Sequence, residues 1–135
     1  MARMLDSNVL LDILTADPEW LDWSQAQFRT AAADGPIAIN PVLYAELAAA
    51  FDSREDLDHW LRPSLFKRLP LPFEAGFRAS RAFLAYRSAG GTRTSPLPDF
   101  YIGAHAEQAG FVLVTRDTAR YRTYFPRLRL VTPRD

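Results

Sequence analysis

Residues 99–117 read DFYIGAHAEQAGFVLVTRD, and this stretch decides the fold class. Asp99, just after Pro98, opens a helical pattern that stops at Gly110. Residues 111–114 follow as the clearest strand in the chain, and Thr115-Arg116-Asp117 returns it to polar chemistry. Working outward, the same alternation recurs. Residues 3–5 form a short apolar run ending at Asp6, followed by the helical spacing of Val9, Leu10, Ile13 and Leu14. Trp20, Leu21, Trp23, Ala26, Gln27 and Thr30 mark a second amphipathic helix before Gly35. Residues 36–39 read as a buried strand. Asn40-Pro41 then reads as the cap and first residue of a helix reaching Phe51, because the first helical position has no use for the N–H that proline lacks. A charged helix over 54–62, a strand over 65–69 and a long helix over 73–89 come next. A polar loop from Thr92 to Pro98 leads back to the opening stretch; beyond Asp117 lie a short helix and a last strand over 128–131. Strands alternating with helices, with few hairpin signals, predict an α/β/α sandwich around a central, mostly parallel sheet.

The chain has 135 residues, 48% hydrophobic and 13% aromatic, enough for one conventional core and too much for a disordered chain or coiled coil. No repeat or linker interrupts it, so residues 1–135 are expected to form a single domain. There is no cysteine, which removes disulfide frameworks and thiolate metal sites. The longest uncharged stretch, 35–45, is too short and too proline-interrupted to span a bilayer. The start, MARMLD, runs straight into apparent structure, so a cytoplasmic domain without a secretory leader is expected.

Sixteen basic and sixteen acidic residues cancel, but their distribution does not. Residues 1–60 hold eleven acids and three bases, whereas residues 61–135 hold thirteen bases and five acids. Lys67 is the only lysine; every other base is arginine, whose fork suits phosphate and carboxylate. Two readings stay open: an anionic partner, or opposite-signed halves that attract each other in the fold.

Four carboxylates bear on chemistry: Asp6, Glu46, Asp99 and Asp117. Asp6 ends the first strand and Asp117 lies just past the strand at 111–114, and open α/β sheets bind ligands beyond the carboxyl ends of their strands. Asp99 opens a helix. Glu46 lies within the helix after strand 36–39, and helical side chains tilt back towards the N-terminus, so it reaches the same edge. Each aspartate taken alone also reads as a helix or turn cap. Glu46 shares its face with Val42, Leu43, Leu47 and Ala50, where an acid needs a pairing arginine or a metal. Two carboxylates ~5 Å apart repel by about 3 kcal/mol at an effective dielectric of ~20, so four together call for a cation. Oxygen ligands without cysteine, and without a well-placed histidine, select Mg²⁺ or Mn²⁺, the setting for metal-assisted phosphodiester hydrolysis.

The segments MLDSNVLLDIL, NPVLYAELAAAF, PLPDFYIGAHAEQAGFVLVTRD and LRLVTP resemble, in order and spacing, the motifs of PIN-domain ribonucleases, specifically the VapC toxins of toxin–antitoxin pairs. The resemblance covers essentially the whole chain. It implies a catalytic site of Asp6, Glu46, Asp99 and Asp117, with Asp6 and Asp99 as direct metal ligands. Glu46 and Asp117 would complete the site, position water or hold a second ion. Ser7, Asn8 and Thr115 match polar positions lining the family's site. The resemblance further implies a homodimer, a cognate antitoxin, and a structured RNA substrate such as transfer or ribosomal RNA. Arg116 and Arg93 are candidates for contact with RNA or antitoxin.

His105 lies about 240° round its helix from Asp99 and reads as a packing or surface residue rather than a general base. His59 reads as exposed, and Trp20, Trp23 and Trp60 as core or dimer-contact residues. Three alternatives remain: a solitary RNA-processing nuclease, a catalytically silent PIN-like module, and a phosphotransfer or receiver domain. The last wants a second acid where Asn8 stands and a lysine late in the chain, which is absent.

Overall fold

A computed structural model describes residues 2–94 and 97–133. Five short strands, β1 (Arg3–Leu5), β2 (Ile37–Ile39), β3 (Phe66–Arg68), β4 (Val112–Val114) and β5 (Arg129–Val131), form one sheet in the order β3-β2-β1-β4-β5. Each pairing is parallel, so the expected mostly parallel sheet is wholly parallel among the described residues. The helices are α1 (Ser7–Leu14), α2 (Leu21–Ala33), α3 (Pro41–Ala48), α4 (Arg54–Trp60), α5 (Phe73–Ser88), α6 (Pro98–Ala109) and α7 (Thr118–Tyr124). Part of the loop between Thr92 and Pro98 lies outside the described residues.

The chain steps from β1 through β2 to β3 in one direction, then returns through α5 and α6 to lay β4 on the other side of β1. Right-handed crossovers therefore put α1–α4 on one face and α5–α7 on the other. The helix contacts divide in the same way: α1 packs on α2 and α3, and α5 packs on α6 and α7. Only α3 and α6 meet across that division among the main helix pairs. Covered on both faces, the central strands are apolar beyond Arg3 at the start of β1 rather than alternating; Met4, Leu5, Ile37, Ile39, Leu113 and Val114 are all buried. The strand order reverses between β1 and β4, which opens a crevice at their carboxyl ends.

Local chemistry sets most boundaries. Asn40 Oδ1 accepts the Leu43 amide at 2.9 Å with Pro41 in the first turn, and Ser53 Oγ accepts the Asp56 amide at 3.1 Å. Gly110 ends α6 in the left-handed region at φ 73°. Several elements are a residue or two shorter than their patterns, and the largest loss is in α3, which ends at Ala48 rather than Phe51. Ala50 and Phe51 bond back to the carbonyls of Leu47 and Ala48, three residues away, so the last turn tightens out of α geometry.

The layer carrying α6 and α7 is packed closely at one glycine. A Cβ on Gly103 would lie 2.7 Å from the ring of Phe125 and 3.1 Å from that of Tyr121, both buried. Neither ring has room to retreat. Gly103→Ala is expected to destabilise the protein by about 1–3 kcal/mol, read as a lower urea midpoint. An unchanged midpoint would show that α7 moves freely on α6.

Candidate active site

Asp6 stands one residue beyond β1, and its amide extends the ladder by donating to Val114 O at 2.9 Å. With Leu5 in register with Val114, Asp6 comes to rest beside Thr115, at the reversal of strand order. It is only 2% exposed, yet its carboxylate is well supplied with donors. Oδ1 accepts the Ser7 amide at 2.8 Å, which caps α1. Oδ2 accepts the Thr115 hydroxyl at 2.9 Å, the Tyr121 hydroxyl at 3.0 Å and, at 3.4 Å, the Asn8 amide. Asp6 is thus both a cap and the centre of the crevice. Even so, burial and the nearby Asp99 raise its pKa to about 7, against the opposing pull of the Thr115, Tyr121 and Ser7 donors.

The other three acids arrive from different elements. Asp99 lies in the first turn of α6 and caps nothing; Arg120 NH1 on α7 reaches its Oδ2 at 3.3 Å. Burial and the neighbouring Asp117 carboxylate push its pKa up, while Arg120 opposes them. Asp117 occupies the N-cap position of α7 without a side-chain capping bond. Glu46, on α3, has a buried Oε1 with no hydrogen-bond partner. Burial raises its pKa, as does Asp99, with Ser7 opposing. The face expected to carry Glu46 is only partly apolar: Leu43 and Leu47 are buried but Ala50 is exposed. Among the described residues, no three His, Asp or Glu side chains are gathered closely enough to hold a metal ion as they stand.

The polar residues around these acids form one relay. The Asp117 amide donates to Thr115 Oγ1 at 3.0 Å, and Thr115 passes its own proton towards Asp6. Asn8 Nδ2 donates to Thr115 Oγ1 at 3.3 Å, and its Oδ1 accepts the Arg116 amide at 3.3 Å. Ser7 serves both acids: its amide donates to Asp6 Oδ1, and its side chain opposes the rise in the Glu46 pKa. Arg116 does not face the crevice: its guanidinium is held by both oxygens of Asp12 at 2.8 and 2.9 Å and lies over the ring of Trp20 at 5.1 Å. Arg93 is exposed on the loop after α5, and its carbonyl accepts Arg87 NH1 at 2.6 Å.

Three contributors escape a reading by motif. Tyr121 is fully buried with its hydroxyl on Asp6, and burial beside three carboxylates raises its pKa well above the ordinary value. An aromatic with a polar tip on the short last helix was the available signal. Asp12 belonged by composition to the surface acids; it is buried, with Ser24 Oγ donating to its Oδ2 at 2.7 Å. Its place one turn after Asn8, on the same helix face, was the clue. Arg120 is one arginine among many until α7 packs beside α6. His105 is a packing residue. Since Asn40 Oδ1 caps α3, Asn40 Nδ2 must donate to His105 Nδ1 at 3.0 Å, which joins α3 to α6 through a neutral imidazole; burial lowers its pKa.

Two expectations follow. Asp6 has its pKa raised from 3.8 to about 7, so folding favours its protonated form. That contribution is full below pH ~4 and is lost as the pH rises through ~7; at 1.36 kcal/mol per unit it is at most about 4 kcal/mol. The stability of Asp6→Asn relative to the parent in EDTA should therefore grow between pH 4 and 8 in urea titrations. A flat difference would remove burial as the dominant influence on Asp6. Asp12→Asn should cost about 1–3 kcal/mol and loosen the segment Arg116 anchors. Amide exchange at Arg116 and Asp117 is expected to quicken while that of Leu43 is unchanged; equal protection in parent and variant would dismiss the anchor.

The PIN domain family profile matches residues 3–126. Among curated protein sequences, none matches the chain significantly. Solved structures match over nearly the full length at low identity. A chain of VapBC2 from Rickettsia felis, in a crystal structure bound to a DNA fragment from their promoter, is 20% identical with a TM-score of 0.73, covering 98% of each chain. A chain of DNA-bound VapBC from Salmonella typhimurium is 20% identical with a TM-score of 0.70, again covering 98% of each. A chain of FitAcB from Neisseria gonorrhoeae is 19% identical with a TM-score of 0.69 over the same 98% of each chain. These likenesses concern the fold. With a family profile spanning nearly all of a wholly parallel α/β/α chain, the protein belongs to the PIN domain family.

Proposed function

We propose that this protein is a divalent-metal-dependent endoribonuclease acting as the toxin of a toxin–antitoxin pair. The observation that carries the reading is electrostatic: Asp99 acts on both Asp6 and Glu46, and Asp117 acts on Asp99, near the point where the strand order reverses, although no three of them stand close enough to hold an ion as they are. The donor set suits a hard cation. All four are carboxylates, Glu46 Oε1 is buried without a partner, and Asp6 and Asp99 each raise their pKa through burial and a neighbouring acid. Asp6 and Asp99 would hold Mg²⁺ or Mn²⁺, with Glu46 and Asp117 completing the site directly, through water or around a second ion. When bound, the ion supplies a Lewis acid that offsets charge on the scissile phosphate and lowers the pKa of water.

The chain's own residues do the rest. Thr115, Tyr121, Asn8 and the Ser7 amide fix the orientation of Asp6. Glu46 offers a free carboxylate oxygen to accept a water proton. Arg120, now on Asp99, is within reach of a phosphate oxygen once Asp99 has another cation. A structural neighbour from Klebsiella pneumoniae, 22% identical with a TM-score of 0.65, is described as a toxin–antitoxin complex, which favours a cognate antitoxin as partner. The exposed Phe73 and Phe77 on α5 offer an apolar face to such a chain or to a second copy. Among the described residues no helix is long and apolar enough to cross a membrane.

The decisive measurement is incubation of purified protein with total RNA, with and without Mg²⁺. Cleavage should require the ion, and Asp99→Asn should lower its rate at least about 100-fold. Metal-independent cleavage, or cleavage that survives both Asp6→Asn and Asp99→Asn, would overturn the site. Expression should arrest growth, and Asp6→Asn should relieve the arrest.

A further inference from the structure

A second cavity lies one strand along the same edge of the sheet. It has a volume of about 230 Å³, below the usual range for drug-sized ligands and suited to a single base or phosphate. Ile39 and Leu69, at the carboxyl ends of β2 and β3, form its floor with Pro41, and Tyr44, Arg54 and Arg68 form its rim. The rim is organised. Asp58 Oδ1 accepts the Tyr44 hydroxyl and Arg68 NH2, each at 2.8 Å, and Asp58 Oδ2 lies 3.5 Å from Arg54 Nε. The Arg68 guanidinium lies over the Tyr44 ring, 5.2 Å from its centroid. One carboxylate shared by two guanidinium groups leaves a net positive charge. Both arginines keep open faces, with side chains 80% and 47% exposed.

Its position relative to the acids gives it meaning. Pro41 also lines the neighbouring groove, which contains Glu46, Pro98 and Tyr101. The two hollows therefore adjoin at Pro41, and the second is lined by Glu46 and, at the start of α6, by Pro98, the residue before Asp99. A polyanion lying over the carboxylates and leaving along this groove meets the arginine-rimmed cavity next. Tyr44 is half-buried with its ring under the Arg68 guanidinium, so the guanidinium plane and the open ring edge offer a base a stacking surface, and the second guanidinium suits its phosphate.

Resting on the nuclease reading above, we infer that the Tyr44–Arg54–Arg68 cavity is a nucleotide subsite. It takes an unpaired nucleotide flanking the scissile bond and so helps to select where RNA is cut. Asp58 is its positioning residue, since it holds both guanidinium groups and the Tyr44 hydroxyl without facing the acids.

The test uses the intact protein and a short fluorescein-labelled single-stranded RNA. Anisotropy in EDTA measures affinity, and cleavage with Mg²⁺ measures KM, kcat and, by end sequencing of total RNA, the cut sites. Arg68→Gln and Tyr44→Ala should each weaken binding about 5- to 30-fold, raise KM by a similar factor, leave kcat unchanged and redistribute the cut sites. Arg54→Gln, at a largely exposed position and so harmless to folding, should lower the salt slope of log K by about 0.7 for the phosphate contact it removes. Asp6→Asn should bind RNA as the parent does while failing to cut it. If the parent cuts RNA and the three rim variants match it in affinity, KM and cut sites, the subsite alone is overturned. If the parent neither binds nor cuts RNA, the nuclease reading fails and the subsite with it. If polyglutamate protects the rim arginines and RNA does not, the cavity docks protein and the inference is wrong.

Discussion

Burial of the Asp6 carboxylate at the end of the β1–β4 ladder is the constraint around which the rest of the structure is arranged. A carboxylate so little exposed is costly unless donors and, finally, a cation surround it. The donors come from the residue after it, from Thr115 beyond β4, and from Tyr121 on α7, more than a hundred positions away. They are too few to hold its pKa at the ordinary value, because desolvation and Asp99 outweigh them. The fold thus keeps a group that is unfavourable when ionised in isolation. That is the expected signature of a site built for binding or catalysis rather than for stability.

Two polar ties hold the crevice in shape. Arg116 grips Asp12 and so fastens the segment after β4 to α1, which keeps Thr115 and Asp117 beside Asp6. Asn40 and His105 join the start of α3 to α6, and with them the helices bearing Glu46 and Asp99. Both ties cross between elements that only the sheet topology makes neighbours. Both are satisfied hydrogen-bonded arrangements in largely buried surroundings, where a missing partner would be expensive.

The uneven charge distribution acquires a local explanation. Arg116–Asp12 and Arg68–Asp58 do join the acidic and basic halves, but Arg54–Asp58, Arg78–Glu107 and Arg120–Asp99 each stay within one half. Among the described ion pairs, pairing across the halves is therefore not the rule. The proposed site acids include Asp6 beside the end of β4, and Arg54 and Arg68 stand along the same sheet edge. An acidic centre beside basic groups suits a phosphodiester better than a uniformly basic surface would.

The alternation of apolar strands with helices, the Asn40-Pro41 cap and the Gly110 stop were legible because each depends on chemistry within a few residues. The four acids were nominated on the same footing, from their places after strands and within helices. What the linear chain left open was set by distance and direction. Asp12 and Tyr121 carried no motif; only the approach of α2 and Arg116 gives Asp12 its partners, and only α7 brings the Tyr121 hydroxyl onto Asp6. Arg116, adjacent to the site in sequence, turned away from it because Asp12 and Trp20 offer a bidentate partner and a ring face on the other side. By itself, then, the sequence determined the fold class and nominated the acids proposed for the site, since periodicity, capping and residue type are local properties. Only the tertiary structure decided which groups support those acids and which arginines face outward, because hydrogen bonds and ion pairs depend on the approach of elements far apart in the chain.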